Sequence, residues 1–150
     1  MSEKKPFENP ESTIHRELAQ WALDCAERTL PLFEEYYLAD KRPRRALETL
    51  QAWIEEKQTM VECRQSAFGA HAAAREATEM PAVAAARAAG QAASVAHMFN
   101  HSPYAAEYAL KAIGLSVPTA ESEQAKSVER EWQWDHLRGD LRTVGFPKGK

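Results

Sequence analysis

The sequence predicts an all-α fold, a compact single-domain array of about six helices that includes a close-packed alanine-rich pair. Three observations lead there. Apolar residues recur at helical spacing along the chain and nowhere alternate in the manner of a strand. Residues 67–97 hold fifteen alanines in thirty-one positions. Alanine is the strongest helix former and has almost no side-chain bulk, so two such helices can lie close together. Prolines and capping residues then divide the chain at intervals that leave only short connections, which implies antiparallel neighbours.

Residues 1–11 read as a flexible tail, polar and without the apolar core of a secretion signal. Ser12 or Thr13 can cap the first helix, on which Ile14, Leu18, Trp21, Cys25 and Thr29 share a face. Pro31 lacks a donor and clashes with the preceding turn, so it ends that helix, and Leu32–Leu38 adds a short helical stretch. Pro43 opens the next, which carries Ala46, Leu47, Leu50 and Trp53 with Ile54 beside them. A third long helix is expected over about Thr59–Thr78 and a fourth from Pro81 to about Phe99. Ser102-Pro103, a capping hydroxyl followed by proline, opens a helix that stops at Gly114. Pro118-Thr119 opens the last, whose face holds Ala125, Val128, Trp132 and Leu141. The folded domain is therefore expected over 12–141, with a second flexible tail over 142–150.

The 150 residues suit one domain, and a net charge of -3 with interspersed signs leaves no basic stripe for nucleic acid. Ala88–Ala106 is free of acids and bases, but it contains Gln91, Ser94, His97, Asn100, His101 and Pro103 without a leucine or isoleucine, so it does not read as a membrane span. Cys25 and Cys63, with no secretion signal ahead of them, point to reduced thiols in the cytoplasm, and a disulfide between them is the minor reading.

Few groups can carry chemistry. Arg64, Ala67, His71 and Arg75 fall in one narrow sector of the third long helix. Val83, Arg87, Gly90, Ser94, His97 and His101 fall in one sector of the fourth, opposite a face of Ala85, Ala89, Ala92, Ala93 and Ala96. Gly90 costs about 1 kcal/mol against alanine inside a helix, so a close neighbour requires it. Asp24 and Arg28 stand four apart on the flank of the first helix. The expected arrangement is an interior polar network in which Asp24 neutralises an arginine and the histidines bond to backbone or carboxylate groups. The alternative is a pocket for a divalent metal or small anion. His97 and His101, at helical spacing but without an acid between them, are the weak metal candidates.

Catalysis finds little support. Neither thiol sits at a helix start, Ser94 has no strand-turn-helix elbow, and no glycine-rich loop cradles a phosphate. No motif calls for a cofactor. An acid–base pair of Asp24 with a histidine lacks a recognisable substrate site.

Four strings together carry a resemblance: WALDCAERTLPLFE (21–34), RPRRAL (42–47) with AW at 52–53, AHAAAREA (70–77), and AARAAGQA (85–92) with AH at 96–97. They resemble a family of small all-helical bacterial immunity proteins, over roughly residues 14–114. The resemblance implies a cytoplasmic, non-enzymatic protein that binds and neutralises a cognate toxin, with the oligomeric state left open. It places the motif positions at Trp21, Asp24, Cys25, Arg44, Trp53, His71, Arg75, Arg87 and His97. A toxin-binding protein should expose an acidic or aromatic patch, for which Glu34, Glu35, Tyr36, Tyr37 and Trp134 are candidates.

Overall fold

The structure, a computed structural model, describes residues 8–150. Six long helices carry the fold: α1 (Ser12–Glu27), α3 (Arg42–Ile54), α4 (Met60–Glu76), α5 (Met80–Ser94), α6 (Ser102–Leu115) and α7 (Ser122–Asp135). Two single-turn helices, α2 (Pro31–Glu34) and α8 (Arg142–Gly145), and three 3-10 turns complete it, with no strand among the described residues. No helix among them is long and apolar enough to cross a membrane.

α5 is the hub. It packs against α1, α2, α3, α4 and α6, so it must be buried nearly all round. Nine of its fifteen residues are buried and every one is alanine or glycine, as expected where neighbours press on several sides of one helix. The neighbours supply the bulk: Leu18 from α1, Leu30 just before α2, Phe33 from α2 and Leu50 from α3 are fully buried. Six helices and the alanine-rich α4–α5 pair thus appear as the residue pattern predicts.

Local starts and stops differ in instructive ways. α1 is capped by neither Ser12 nor Thr13: the Glu11 side chain accepts from the Ile14 N–H at 3.0 Å. α5 ends at Ser94, not near Phe99. The Ser94 hydroxyl bonds back to the Gly90 carbonyl at 2.9 Å, and His15 Nε2 donates to the Val95 carbonyl at 2.6 Å. Asn9 then takes the His97 carbonyl and the Phe99 N–H. With these groups engaged elsewhere the ladder cannot continue. Asn9 lies in the segment expected to be a loose tail; residues 1–7 of that tail lie outside the described residues.

A 3-10 turn over Phe99–His101 starts α6 one residue early, so Ser102 sits inside the helix and its buried hydroxyl has no partner among the described residues. The face of α7 is also turned from the expected one. Val128 is exposed, whereas Glu129 and Gln133 are buried. They are buried because they have partners: Arg28 grips the Glu129 carboxylate, and Gln133 bonds to the Ala106 carbonyl through Nε2 and accepts from Trp21 Nε1 through its backbone carbonyl. Finally, the stretch from 142 onward, expected to be a loose tail, forms α8 and buries Phe146. The Phe146 ring lies 5.4 Å from that of Trp21 and 5.2 Å from that of Trp134.

Candidate functional site

The polar groups singled out in the sequence separate into two arrangements. In the first, arginines clamp helices together. Arg44 on α3 holds Glu34 of α2 through two bonds and Glu27 at the end of α1 through a third, at 2.8–3.1 Å. Its guanidinium keeps the Glu34 carboxyl below the ordinary carboxylate range. Arg28 makes a two-pronged bond to the buried Glu129 at 2.7 and 3.0 Å and stacks on the Trp132 ring. Arg42 joins Asp40 and Glu76. Each is a pair with shared proton donors, suited to fixing helix register.

The second arrangement holds no carboxylate. Arg87 of α5 donates through Nη1 to His71 Nδ1 of α4 at 2.8 Å. A guanidinium can only donate, so Nδ1 must be the bare nitrogen and the imidazole proton sits on Nε2. The ring lies directly over Gly90: a Cβ built there would stand 2.6 Å from His71 Cε1 and Nε2. This is the close neighbour that the glycine inside α5 demanded. Burial, and then the charges of Arg87, Arg75 and His101, push the His71 pKa down to about 4, so it is neutral at pH 7. His101 takes the opposite tautomer, since its Nδ1 faces the Gln91 amide oxygen at 2.7 Å and must donate to it. Burial lowers its pKa as well.

His71, Arg75, Arg87 and His101 therefore meet at the α4–α5 seam. Asp24, Cys25 and Arg44 do not join them. Asp24 is half-buried on α1 and accepts from Gln20 Nε2 at 3.0 Å, with no arginine on it; burial raises its pKa. The expected pair of Asp24 with an arginine from α4 or α5 does not form, because Arg87 is engaged by His71 and Arg75 lies exposed on the outer face of α4; the ion pair at the end of α1 is instead Arg28–Glu129. Cys25 and Cys63 are free and buried, burial pushing the Cys25 thiol well up and the Cys63 thiol up to about 12. Neither is a ready nucleophile or metal ligand.

The His97–His101 spacing loses its helical meaning once α5 ends at Ser94: Met98 between them is extended, at φ -148° and ψ 125°. Among the described residues no group of three or more His, Cys, Asp or Glu could hold a metal. Glu129, Gln91 and His15 were not foreseen. A glutamate inside a helix-length charged segment gives no sign of burial, and Arg28, with Asp24 and Glu27 close by in the sequence, gave no sign that its acid comes from α7.

A model of one family, described as Imm-5 like putative immunity protein, matches residues 8–140. The chain belongs to that family. No curated protein and no solved structure matches it at a significant level. Within this immunity-protein chain the residues that carried the resemblance are largely structural: Trp21 and Cys25 are core, Arg44 is a clamp, and His71 with Arg87 spans the α4–α5 seam. Of the patch expected to be exposed, Glu34 is spent on Arg44, the Tyr37 hydroxyl accepts from the Thr78 N–H at 2.8 Å, and Trp134 lies under Arg142. Glu35 and Tyr36 are exposed.

Proposed function

We propose that this chain is a non-enzymatic immunity protein of the bacterial cytoplasm that binds and neutralises a cognate protein toxin. The observation that carries the reading is the family match over residues 8–140. Two features of the site support the non-enzymatic part. The thiols are buried with raised pKa, and the one histidine held by a guanidinium is pinned against Gly90. Nucleophiles and general bases need access and a pKa near the working pH, which these groups lack.

The test is protection. The toxin domain encoded beside this gene is expressed from an inducible promoter with and without the chain. Restored growth and a stable co-purifying complex are the expected results. A toxic neighbour that kills equally well in the presence of the chain, and that forms no complex with it, rules the function out.

A further inference from the structure

We propose that the outward face of α4, with Arg87 on its flank, docks a carboxylate-bearing surface of the toxin, Arg64, Arg75 and Arg87 supplying the cations and Phe68 the apolar anchor. The inference rests on the immunity reading above and names the surface and the partner chemistry.

At 100° per residue Val61, Arg64, Phe68, His71 and Arg75 lie within one sector of α4, a row about 20 Å long at 1.5 Å per residue. His71 forms its inner edge, against Arg87. Phe68 is 61% and Val61 55% exposed, and Arg64 and Arg75 are exposed. An aromatic ring left in water in the middle of a helix, between arginines, has the composition of an interface hot spot, where aromatic residues and arginine dominate.

The charge pattern says what must cover it. Of the eight arginines elsewhere, Arg16, Arg28, Arg42, Arg44, Arg130 and Arg138 hold carboxylates and Arg142 donates to the Trp134 carbonyl, leaving Arg45 as a single one without an ion pair among the described residues. On this face none is held: Arg64 and Arg75 have no hydrogen bond or ion pair among the described residues, and Arg87 bonds only to the neutral His71. The acids of α4 turn away, Glu76 being engaged by Arg42, and α5 contains no acid at all. A chain of net charge -3 thus keeps a strip of arginines without an ion pair of their own, the neighbouring Glu76 being held by Arg42 and feeling Arg75 only as a nearby charge. Water satisfies these groups in the free chain, and a partner that brings carboxylates is the one whose charge complements the row. His71 contributes by position: by accepting one N–H it aims the remaining donors of the half-buried Arg87, whose planar fork matches a carboxylate.

The experiment measures binding of the purified chain to the neighbouring toxin domain by calorimetry, alongside protection. Arg64→Glu/Arg75→Glu and Phe68→Ala change exposed side chains, and melting temperature verifies that the fold is kept. The double reversal should weaken binding at least about 30-fold and abolish protection, and Phe68→Ala should weaken it about tenfold. Wild-type affinity should fall between 50 and 300 mM salt more steeply than that of the double variant. Wild-type affinity in the double variant overturns the proposal while leaving the immunity function intact. So does loss of binding on Lys111→Glu, at the groove of about 940 Å³ between α6 and the C-terminal segment, with the α4 variants unaffected. Row-dependent binding of a 20-base-pair DNA duplex, or a dimer of this chain dissociated by the double reversal, likewise refutes a toxin-docking face. A wild-type chain that neither binds nor protects removes the immunity reading and this inference with it.

Discussion

Replacing Gly90 with alanine sets two opposing effects against each other at one atom. In a helix interior the alanine should stabilise by about 1 kcal/mol. Here the new Cβ would stand 2.6 Å from His71 Cε1 and Nε2 and 2.8 Å from Cδ2, whereas carbon contacts settle near about 3.5–4 Å. The ring must move by about 1 Å, and its Nδ1 then leaves Arg87. Overpacking costs about 1–3 kcal/mol, and a hydrogen bond to a charged group about 1.5–3 kcal/mol before water at this half-buried site returns part of it. The net expectation is a loss of about 2 kcal/mol, or about 4–8 °C in melting temperature for a domain of this size. Urea unfolding at pH 7.5, followed by circular dichroism, measures it. The decisive comparison is the same substitution on a His71→Ala background, where the clash is gone and alanine should stabilise by up to about 1 kcal/mol. If Gly90→Ala stabilises the wild-type chain, or acts identically in both backgrounds, the account of the α4–α5 seam is wrong.

Three more outcomes follow from the same contacts. His71 titrates near 6.5 when unfolded and near 4 when folded, so stability holds above pH 6.5 and is lost as pH falls from there toward 4. At about 1.4 kcal/mol per pH unit the ceiling is about 3 kcal/mol, and about 2 after solvent screening. His71→Gln should flatten that slope without abolishing it, since His15 and His101 are lowered too; parallel wild-type and variant curves of urea midpoint against pH contradict it. Arg28→Met strands the Glu129 carboxylate, only 6% exposed, and should cost about 3 kcal/mol, more than Glu129→Gln; thermal melts giving the reverse order refute the clamp. Phe146→Ala should cost about 3 kcal/mol, and a chain truncated after Leu141 more, so a truncated chain that melts with the wild type would show the C-terminal turn to be idle.

What the sequence made legible divides along the line between periodic packing and single hydrogen bonds. α3 was readable because Ala46, Leu47 and Leu50 repeat on one face, α4 from its alanine content although Ala67, grouped with the polar sector, is buried, and the Gly90 contact because a glycine inside an alanine helix has a cost that something must justify. The end of α5 was not readable. It depends on His15 and Asn9, some 80–90 residues away, claiming the Val95 and His97 carbonyls, and no local pattern announces such a partner. The face of α7 misled for the same reason. By hydropathy Val128 belongs inside and Glu129 outside; Arg28, 101 residues earlier, reverses the order. Asp24 was expected to meet an arginine from α4 or α5, but it accepts from Gln20 of its own helix while Arg87 turns to His71.

The strings that carry the family resemblance are mostly those that build the scaffold, and this separates recognising the fold from recognising the partner. Trp21, Cys25, Ala70 and Ala89 are buried, and each is tied to its neighbours by volume. Changing one of them costs stability before it can alter binding. Arg64 and Phe68 fall outside all of those strings and face water, where substitutions usually change stability by less than about 0.5 kcal/mol. A protein that must match one particular toxin is best served by placing its specificity on such positions, because the outward row of α4 can be rewritten while α5 and the residues packed round it stay as they are. The resemblance therefore reports the alanine hub and its clamps, with Arg75 and Arg87 among its positions, whereas Arg64 and Phe68 of the proposed docking row lie outside it and are free to differ from one relative to the next.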